Sequence, residues 1–303
     1  MRHNGADVAL LTERRYEASV AADGDWYLGN ILRDDQLLRD ALQIRGLTAM
    51  RIDWARPEVD WSRFRCAVFR TTWDYFERFT EFSAWLAQVE PQVQLINDAS
   101  LVRWNSDKRY LADLSVRGIP VVPSHFVQRG NRSTLHELLD ATGWADTVIK
   151  PCVSGSARHT YRLNRTTADS LEPVFRELVA AESFLLQPFQ RDVAASGEDT
   201  LMVFDGRFSH AVRKVPKAGD FRVQDDHGGT VYEYVPTREQ IELAERAIAV
   251  RDVPAYGRVD MIRDNEGRLA VMELELIEPE LWLRHHPPAA TAFADAIVRR
   301  LES

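Results

Sequence analysis

The stretch that most restricts how this chain can fold runs from Arg258 to Leu276, Arg-Val-Asp-Met-Ile-Arg-Asp-Asn-Glu-Gly-Arg-Leu-Ala-Val-Met-Glu-Leu-Glu-Leu. Two alternating runs of Val, Ile, Leu and Met flank Asp264-Asn265-Glu266-Gly267, whose residues tolerate the backbone angles of a tight turn, so the stretch reads as a β-hairpin. With a loop of about two or four residues, Asp260 stands opposite Val271 and Arg258 opposite Glu273. Strand side chains alternate between faces, so Arg258, Asp260, Glu273 and Glu275 share one face while Val259, Met261, Met272, Leu274 and Leu276 share the other. Carboxylates packed this closely repel, and one of them is protonated unless a cation neutralises the group. Oxygen ligands of this kind suit Mg²⁺ or Mn²⁺, ions that commonly hold phosphates. A half-solvated strand pair with its charges facing water is the other reading of the same pattern.

The rest of the chain bounds the choice. At 303 residues it is long for one small domain and suits an enzyme of two or three packed units. A content of 45% hydrophobic and 28% charged residues is globular. The formal net charge of -8 argues against a nucleic acid or a membrane surface as partner, although it leaves room for a local basic site. Cys66 and Cys152 lie far apart without metal-site spacing, which fits a reducing cytoplasm. No leader precedes the first strand and no apolar run approaches a membrane span, so the expected location is cytoplasmic.

Along the chain, strands are expected at 7–12, 49–54, 66–70 and 93–97, with a helix starting at Asp34 or Asp35 and another from Phe79 to Gln88. Strands alternating with helices imply a parallel sheet, whose ligands sit at the C-terminal strand ends. Arg70-Thr-Thr-Trp-Asp-Tyr75 falls at such an end, which makes Arg70, Trp73, Asp74 and Tyr75 candidates for a substrate lip, or else a packing pair and a surface ion pair. After residue 100 come short helices at 100–105 and 108–117, a strand at 121–127, a helix at 134–142 and the strand Thr147-Val-Ile-Lys-Pro151. A lysine inside an apolar strand is costly to bury unless its ammonium meets an anion. Cys152-Val-Ser-Gly-Ser-Ala157 follows at once, a small-residue loop whose backbone N–H groups can surround phosphate oxygens, although it lacks P-loop spacing. Ser183-Phe-Leu-Leu-Gln-Pro-Phe189 reads as a buried strand whose Pro188 belongs at an edge or end. A second hairpin turns at Asp205-Gly206, and helices are expected at 237–251 and 289–301. His210, on an alternating strand, reads as a structural or a proton-transfer group.

Lys108, Lys150, Lys214, Arg222 and Arg258 are cations in ordered, largely apolar surroundings, beside the acidic cluster Asp260, Glu273 and Glu275. A nucleoside triphosphate with magnesium needs both kinds of group. Asn105-Ser-Asp-Lys108, Val148-Ile-Lys150-Pro151, Leu186-Gln187-Pro188-Phe189, Gly219-Asp-Phe-Arg222, Gly228-Gly229, Arg258-Val-Asp260 and Glu273-Leu-Glu275 occur in that order over roughly residues 100 to 283. In combination they resemble the ATP-grasp superfamily of carboxylate–amine ligases, in its glutathione-synthetase and RimK-like branch. Within it, Arg70-Thr-Thr-Trp-Asp-Tyr75, Phe208-Ser-His-Ala-Val212 and Glu275-Leu-Ile-Glu-Pro-Glu280 look most like a subgroup that includes a D-cycloserine-forming cyclo-ligase.

The resemblance implies an α/β (α+β) ATP-grasp fold, a parallel-sheet N-terminal domain plus two α+β subdomains sandwiching ATP. Residues 1–100 then form the substrate domain, 101–186 the central subdomain and 187–303 the C-terminal subdomain with the metal site. It implies that Lys108 and Lys150 contact ATP phosphates under a loop of Ser154, Gly155 and Ser156. Gln187, Pro188 and Phe189 match the interdomain hinge that reads adenine, with Asp192 a candidate for the ribose. Lys214 is similar to a nucleotide-side cation and Arg222 to the arginine near the transferred phosphate and acyl phosphate, and either Arg222 or Arg258 is a candidate to stabilise the oxyanion of the tetrahedral intermediate. Asp260, Glu273 and Glu275 match the Mg²⁺ (or Mn²⁺) ligands, with Glu275 standing where asparagine is usual. The expected activity is ATP-dependent joining of small-molecule carboxylate and amine substrates through an acyl phosphate, with self-association as a homo-oligomer left open. A small-molecule kinase using the same site, or a nucleotide-binding regulatory protein without turnover, are the rival expectations.

Overall fold

The computed structural model describes residues 5–217 and 228–302, organised on three sheets. In the first, β1 (Val8–Thr12), β2 (Ala49–Asp53), β3 (Cys66–Thr71) and β4 (Gln94–Ile96) pair in parallel in the order β2-β1-β3-β4. Every residue of β1 and β3 is buried, as expected of strands covered on both faces. The covering helices include α1 (Trp26–Ile44) and α2 (Phe79–Val89). Helix α1 starts well before Asp34, the expected position, because Asp25 caps it by accepting from the Leu28 amide at 3.0 Å. Asp34 and Asp35 sit inside the helix, buried, where arginines satisfy them: Arg284 bonds Asp34 at 3.0 Å and Arg70 bonds Asp35 at 2.9 Å.

Helices α3 (Ala99–Asn105) and α4 (Tyr110–Val116) lead to the second sheet. It comprises β5 (His125–Val127), β6 (Asp146–Pro151), β7 (Tyr161–Asn164) and β8 (Phe184–Pro188), antiparallel in the order β5-β8-β6-β7, with helices α5 (Leu135–Thr142) and α6 (Ala168–Ala181). This sheet has its own apolar core around Leu139, Ile149, Phe175, Phe184 and Leu186. The strand expected at 121–127 is regular only over its last three residues; Val121 makes one isolated bridge to Val271.

After α7 (Arg191–Ser196), the third sheet is built from β9 (Glu198–Phe204), β10 (Arg207–Val215), β11 (Thr230–Tyr234), β12 (Tyr256–Arg263) and β13 (Leu269–Glu275). Its order is β11-β10-β9-β12-β13, all antiparallel, flanked by α8 (Arg238–Ile248) and α9 (Ala289–Glu302). Phe204, Tyr256 and Phe293 of this unit share one core with Val8, Leu10 and Val68 of the first sheet. The Tyr256 hydroxyl reaches across the same junction, 2.9 Å from the carbonyl of Ile277 and 3.0 Å from that of Phe69. Among the described residues no helix is long and apolar enough to cross a membrane.

The β12–β13 hairpin forms with a different register from the one expected. Asp264 N–H donates to Arg268 O at 2.8 Å and Gly267 adopts φ +78°, so the loop holds three residues between that closing pair, a turn that needs glycine at its left-handed position. A β-bulge then intervenes: Met261 pairs with Val271 but Asp260 pairs with Glu273, leaving Met272 as the extra residue. Arg258 therefore stands opposite Glu275 and Asp260 opposite Glu273, in place of the expected Glu273 and Val271. The four charged residues still share a face. Met272 changes sides, lining a cleft, and Val271 takes its place in the core. The β9–β10 hairpin carries a second irregularity between Phe208 and His210, which sets Lys214 opposite Glu198.

Strand β13 is an edge, and unpaired backbone groups at an edge need partners. Asn105 supplies two of them with its side-chain amide, donating to Leu274 O at 2.8 Å and accepting from Leu276 N at 2.7 Å. Tyr110 accepts from Leu274 N at 3.0 Å, and Val271 exchanges bonds with Pro120 O and Val122 N.

Candidate active site

One open cleft, with about 1480 Å³ of empty space that includes its solvent-filled mouth, lies where the three sheets meet. Its charged floor comes from four adjacent strands of the third sheet. Glu198 on β9, Lys214 on β10, Arg258 and Asp260 on β12, and Glu273 and Glu275 on β13 all line it. Opposing residues come from the second sheet: Val148 and Lys150 on β6, Ser154 to Ala157 after it, and Gln187, Pro188, Phe189 and Gln190 at the end of β8. Tyr27, Trp73 and Phe76 of the first unit, with Glu278, Glu280 and Trp282 after β13, complete the lining.

The floor is an interlocked charge network. Lys214 bonds Glu198 at 2.5 Å and Asp260 at 3.1 Å; Arg258 bonds Asp260 at 2.9 Å and also pairs with Glu275. Lys108, arriving from the start of α4, bonds Glu273 at 2.5 Å and the Ser154 carbonyl at 2.8 Å. Thr200 donates to Asp260 at 2.8 Å. Burial favours neutral carboxyls, and each carboxyl answers according to the cations beside it. Arg258 and Lys214 overcome burial at Asp260 and hold its carboxyl down to about 2. Burial resists ionisation at Glu273 too, but Lys108 and Lys150 keep it below the ordinary carboxylate range. At Glu275 burial wins over Arg258, which Asp260 shares, and nearby Glu273 and Asp260 push the carboxyl further, up to about 7. Burial lowers the Lys150 ammonium, which has no ion-pair partner among the described residues.

Two local devices shape the walls. In the loop after β6, Ser156, Ala157 and His159 take left-handed φ values of 48°, 54° and 49°, a costly conformation for residues with a Cβ and one often found where a loop serves a ligand. A Cβ on Gly155 would meet Phe76 Cε1 at 2.6 Å, so the loop passes the first unit at a distance only glycine allows. At the end of β8, Asn265 of the β12–β13 turn donates to Phe189 O at 2.9 Å and accepts from Arg191 N at 3.2 Å, tying the hairpin tip to the strand end.

Of the residues singled out from sequence, the structure brings Lys108, Lys150, Ser154, Gly155, Ser156, Gln187, Pro188, Phe189, Lys214, Arg258, Asp260, Glu273, Glu275 and Trp73 to the cleft. Four lie apart from its lining. Arg70 is buried against Asp35 and the Phe293 ring; Asp74 accepts from Trp54 Nε1 at 2.7 Å and pairs with Arg78 at 2.6 Å; Tyr75 packs among Phe76 and Phe82; Asp192 accepts from Ser196 on α7. Arg222 lies outside the described residues. His210 is also away from the cleft, its Nε2 2.8 Å from Leu281 O and its ring between Phe204 and His286.

Sequence reasoning missed Glu198, Met272, Glu278, Glu280 and Trp282. The run Glu275-Leu-Ile-Glu-Pro-Glu280 was the available signal for two of them, while Glu198 and Met272 depend on bulges that alternation alone does not show. The all-oxygen donor set of Asp260, Glu273 and Glu275 fits Mg²⁺ or Mn²⁺. As the side chains stand, Lys108 and Arg258 hold their oxygens, and among the described residues no three acidic, histidine or cysteine side chains converge closely enough to share an ion.

Comparison with known proteins agrees with this architecture. Residues 8–97 match the family model for the N-terminal domain of D-cycloserine synthetase DcsG. The cycloserine biosynthesis protein DcsG of Streptomyces lavendulae is 36% identical over 286 residues, 88% of this chain and 93% of that protein. The crystal structure of D-cycloserine synthetase DcsG superposes with a TM-score of 0.83 at 33% identity, covering 97% of this chain and 99% of the other. At the level of fold alone, D-alanine–D-alanine ligase from Bacillus anthracis, solved in complex with ATP, gives a TM-score of 0.62 at 13% identity over 98% of this chain and 97% of the other. The chain belongs to the D-cycloserine synthetase family of ATP-grasp ligases, enzymes that use ATP to form C–N bonds.

Proposed function

We propose that the chain activates the carboxylate of a small amino-acid-like substrate as an acyl phosphate and transfers the acyl group to an amine, releasing ADP and phosphate. One observation carries this reading: a single cleft joins Lys108, Lys150, Lys214 and Arg258 to the carboxylate face of Asp260, Glu273 and Glu275. Cations facing an otherwise acidic floor suit a polyphosphate with its counter-ion better than any neutral ligand.

In this reading the backbone at Gln187, Pro188 and Phe189 takes the adenine edge, and Met272 lies under the base. Lys108 and Lys150 hold phosphate oxygens and offset the charge that spreads over the transferring phosphoryl group. Ser154, Gly155 and Ser156 exclude water from above. Asp260, Glu273 and Glu275 would hold Mg²⁺ or Mn²⁺, which when bound neutralises and aligns phosphate oxygens. Arg258, now fixed between Asp260 and Glu275, is placed to stabilise the oxyanion formed when the amine attacks. Trp73 walls the substrate side, and Arg70, Asp74 and Tyr75 keep that wall in position without touching substrate. The division into residues 1–100, 101–186 and 187–303 gives each unit one sheet, except that Gln187 and Pro188 complete β8 of the second. Because the relative makes a small ring, we assign closure within one amino-bearing molecule as the first reaction to try.

The test is ADP release from ATP with candidate amino acids in the presence of hydroxylamine, which converts an acyl phosphate to a hydroxamate. Joint appearance of ADP and hydroxamate supports the reading. A phosphorylated product indifferent to hydroxylamine would make the protein a kinase, and ATP binding without ADP across the panel would make it a non-catalytic binder.

A further inference from the structure

Every carboxylate lining the cleft but one is matched to a protein cation. Asp260 has Arg258 and Lys214, Glu273 has Lys108, Glu275 has Arg258, Glu198 has Lys214, and Glu280 has Arg284 at 2.6 Å. Glu278 is the exception. It is 9% exposed and lines the cleft, yet among the described residues its carboxylate has no ion pair and no hydrogen-bond donor beyond its own backbone amide. Its main chain is fixed, since Trp73 Nε1 donates to Glu278 O at 2.9 Å and Pro279 restricts the next residue. Lys108 and Arg258 attract it only at longer range, because both are engaged by the carboxylates of the floor. Burial, and Glu275 nearby, push its carboxyl well above the ordinary range, the behaviour of a site waiting for positive charge.

An unpaired carboxylate buried this far is costly until a cation arrives. A divalent metal needs several oxygen ligands, which a single carboxylate does not provide. An ammonium is satisfied by one carboxylate and an aromatic face, and the rings of Trp73 and Tyr27, 5.9 Å apart, line the same cleft. We propose that Glu278 is a specificity-determining residue that pairs with the ammonium of an amino-bearing carboxylate and so directs the carboxylate end of that molecule toward the phosphoryl-transfer site. The inference rests on the ligase reading and adds the chemistry by which this cleft selects a zwitterion.

The test compares the full chain and Glu278→Gln, with Mg²⁺-ATP and hydroxylamine, on matched probes: D-alanine against propionate and D-serine against D-glycerate. Wild type is expected to favour the amino-bearing member by about 10- to 100-fold in kcat/KM, the range for a hydrogen bond to a charged group. Glu278→Gln should abolish that preference, chiefly through KM, with binding of AMP-PNP and Mn²⁺ unchanged. Glu278→Asp, with folding of both variants checked by thermal melting, should retain the preference in reduced form. An undiminished preference in Glu278→Gln overturns the proposal, as does a loss of Mn²⁺ affinity, which would make Glu278 a metal ligand. Hydroxamate formed equally from both members of each pair overturns the role of Glu278 alone, whereas no hydroxamate from any probe overturns the ligase reading and this one with it.

Discussion

Replacing Asn105 by alanine tests how the charged floor of the cleft is held. The Asn105 amide acts as a surrogate peptide group along the free edge of β13, bonding Leu274 O at 2.8 Å and Leu276 N at 2.7 Å, one on each side of Glu275. Asn105 is buried, so water does not readily replace those bonds. Asn105→Ala therefore leaves a carbonyl and an N–H without partners. At about 1–3 kcal/mol for each orphaned group, the expected loss of stability is about 2–6 kcal/mol. Asn105→Asp keeps the acceptor for Leu276 N–H but sets a carboxylate oxygen against the Leu274 carbonyl, so it should be destabilising as well, which separates lost hydrogen bonding from lost volume. Urea unfolding followed by tryptophan fluorescence measures the change, read as a shift in midpoint at constant slope. Because Glu275 lies between the two anchored residues, Mn²⁺ binding should weaken in parallel. A change in Asn105→Ala below about 0.5 kcal/mol, with Mn²⁺ affinity intact, would refute the view that this side chain anchors the edge.

Other outcomes follow from the same geometry. Glu273→Gln should reduce turnover to below about one-hundredth of wild type while leaving a fluorescent adenine nucleotide bound as before, and unimpaired ADP release would remove Glu273 from the metal site. Lys150→Met should weaken AMP-PNP binding by about 10- to 100-fold, measured by calorimetry, because a charged contact to phosphate is lost. Gly155→Ala should raise the KM for ATP through the Phe76 clash, and Phe76→Leu in the same chain should restore it; failure of that rescue would mean the close approach is unimportant. His210 is buried and its ring falls from the ordinary 6.5 to about 4, because burial opposes the charged form. Its stabilising contribution is thus complete above pH 6.5 and disappears as pH falls toward 4, about 3 kcal/mol in all. His210→Gln should therefore flatten the difference in unfolding free energy between pH 7 and pH 4 relative to wild type.

Much of this fold is legible because burial writes it into the sequence. The fully covered strands β1 and β3 appear as short apolar runs, and β12 and β13 alternate over Arg258–Met261 and Met272–Glu275. The sharing of one face by Arg258, Asp260, Glu273 and Glu275 could be read before any coordinates. What could not be read depends on partners distant in sequence. Asp34 and Asp35 look like helix starters until Arg284 and Arg70, supplied from elsewhere in the chain, show why they are tolerated in mid-helix. Glu198 meets Lys214 only through the irregularity before His210, and Met272 faces the cleft only through its bulge. Glu278 was visible as a letter in a motif, but its lack of an ion-pair partner among the described residues emerges only from the assembled cleft.

The Met272 bulge also says which length changes this hairpin can survive. The three-residue loop and the single extra residue each shift the pairing by one position, and their effects on side-chain orientation cancel. Deleting Met272 would remove the bulge and still leave Asp260 opposite Glu273 and Arg258 opposite Glu275 on the cleft face, whereas drawing Met272 into regular pairing would turn both glutamates toward the core. One-residue shortening at position 272 should therefore keep the charged face on the cleft side with no compensating change in the turn.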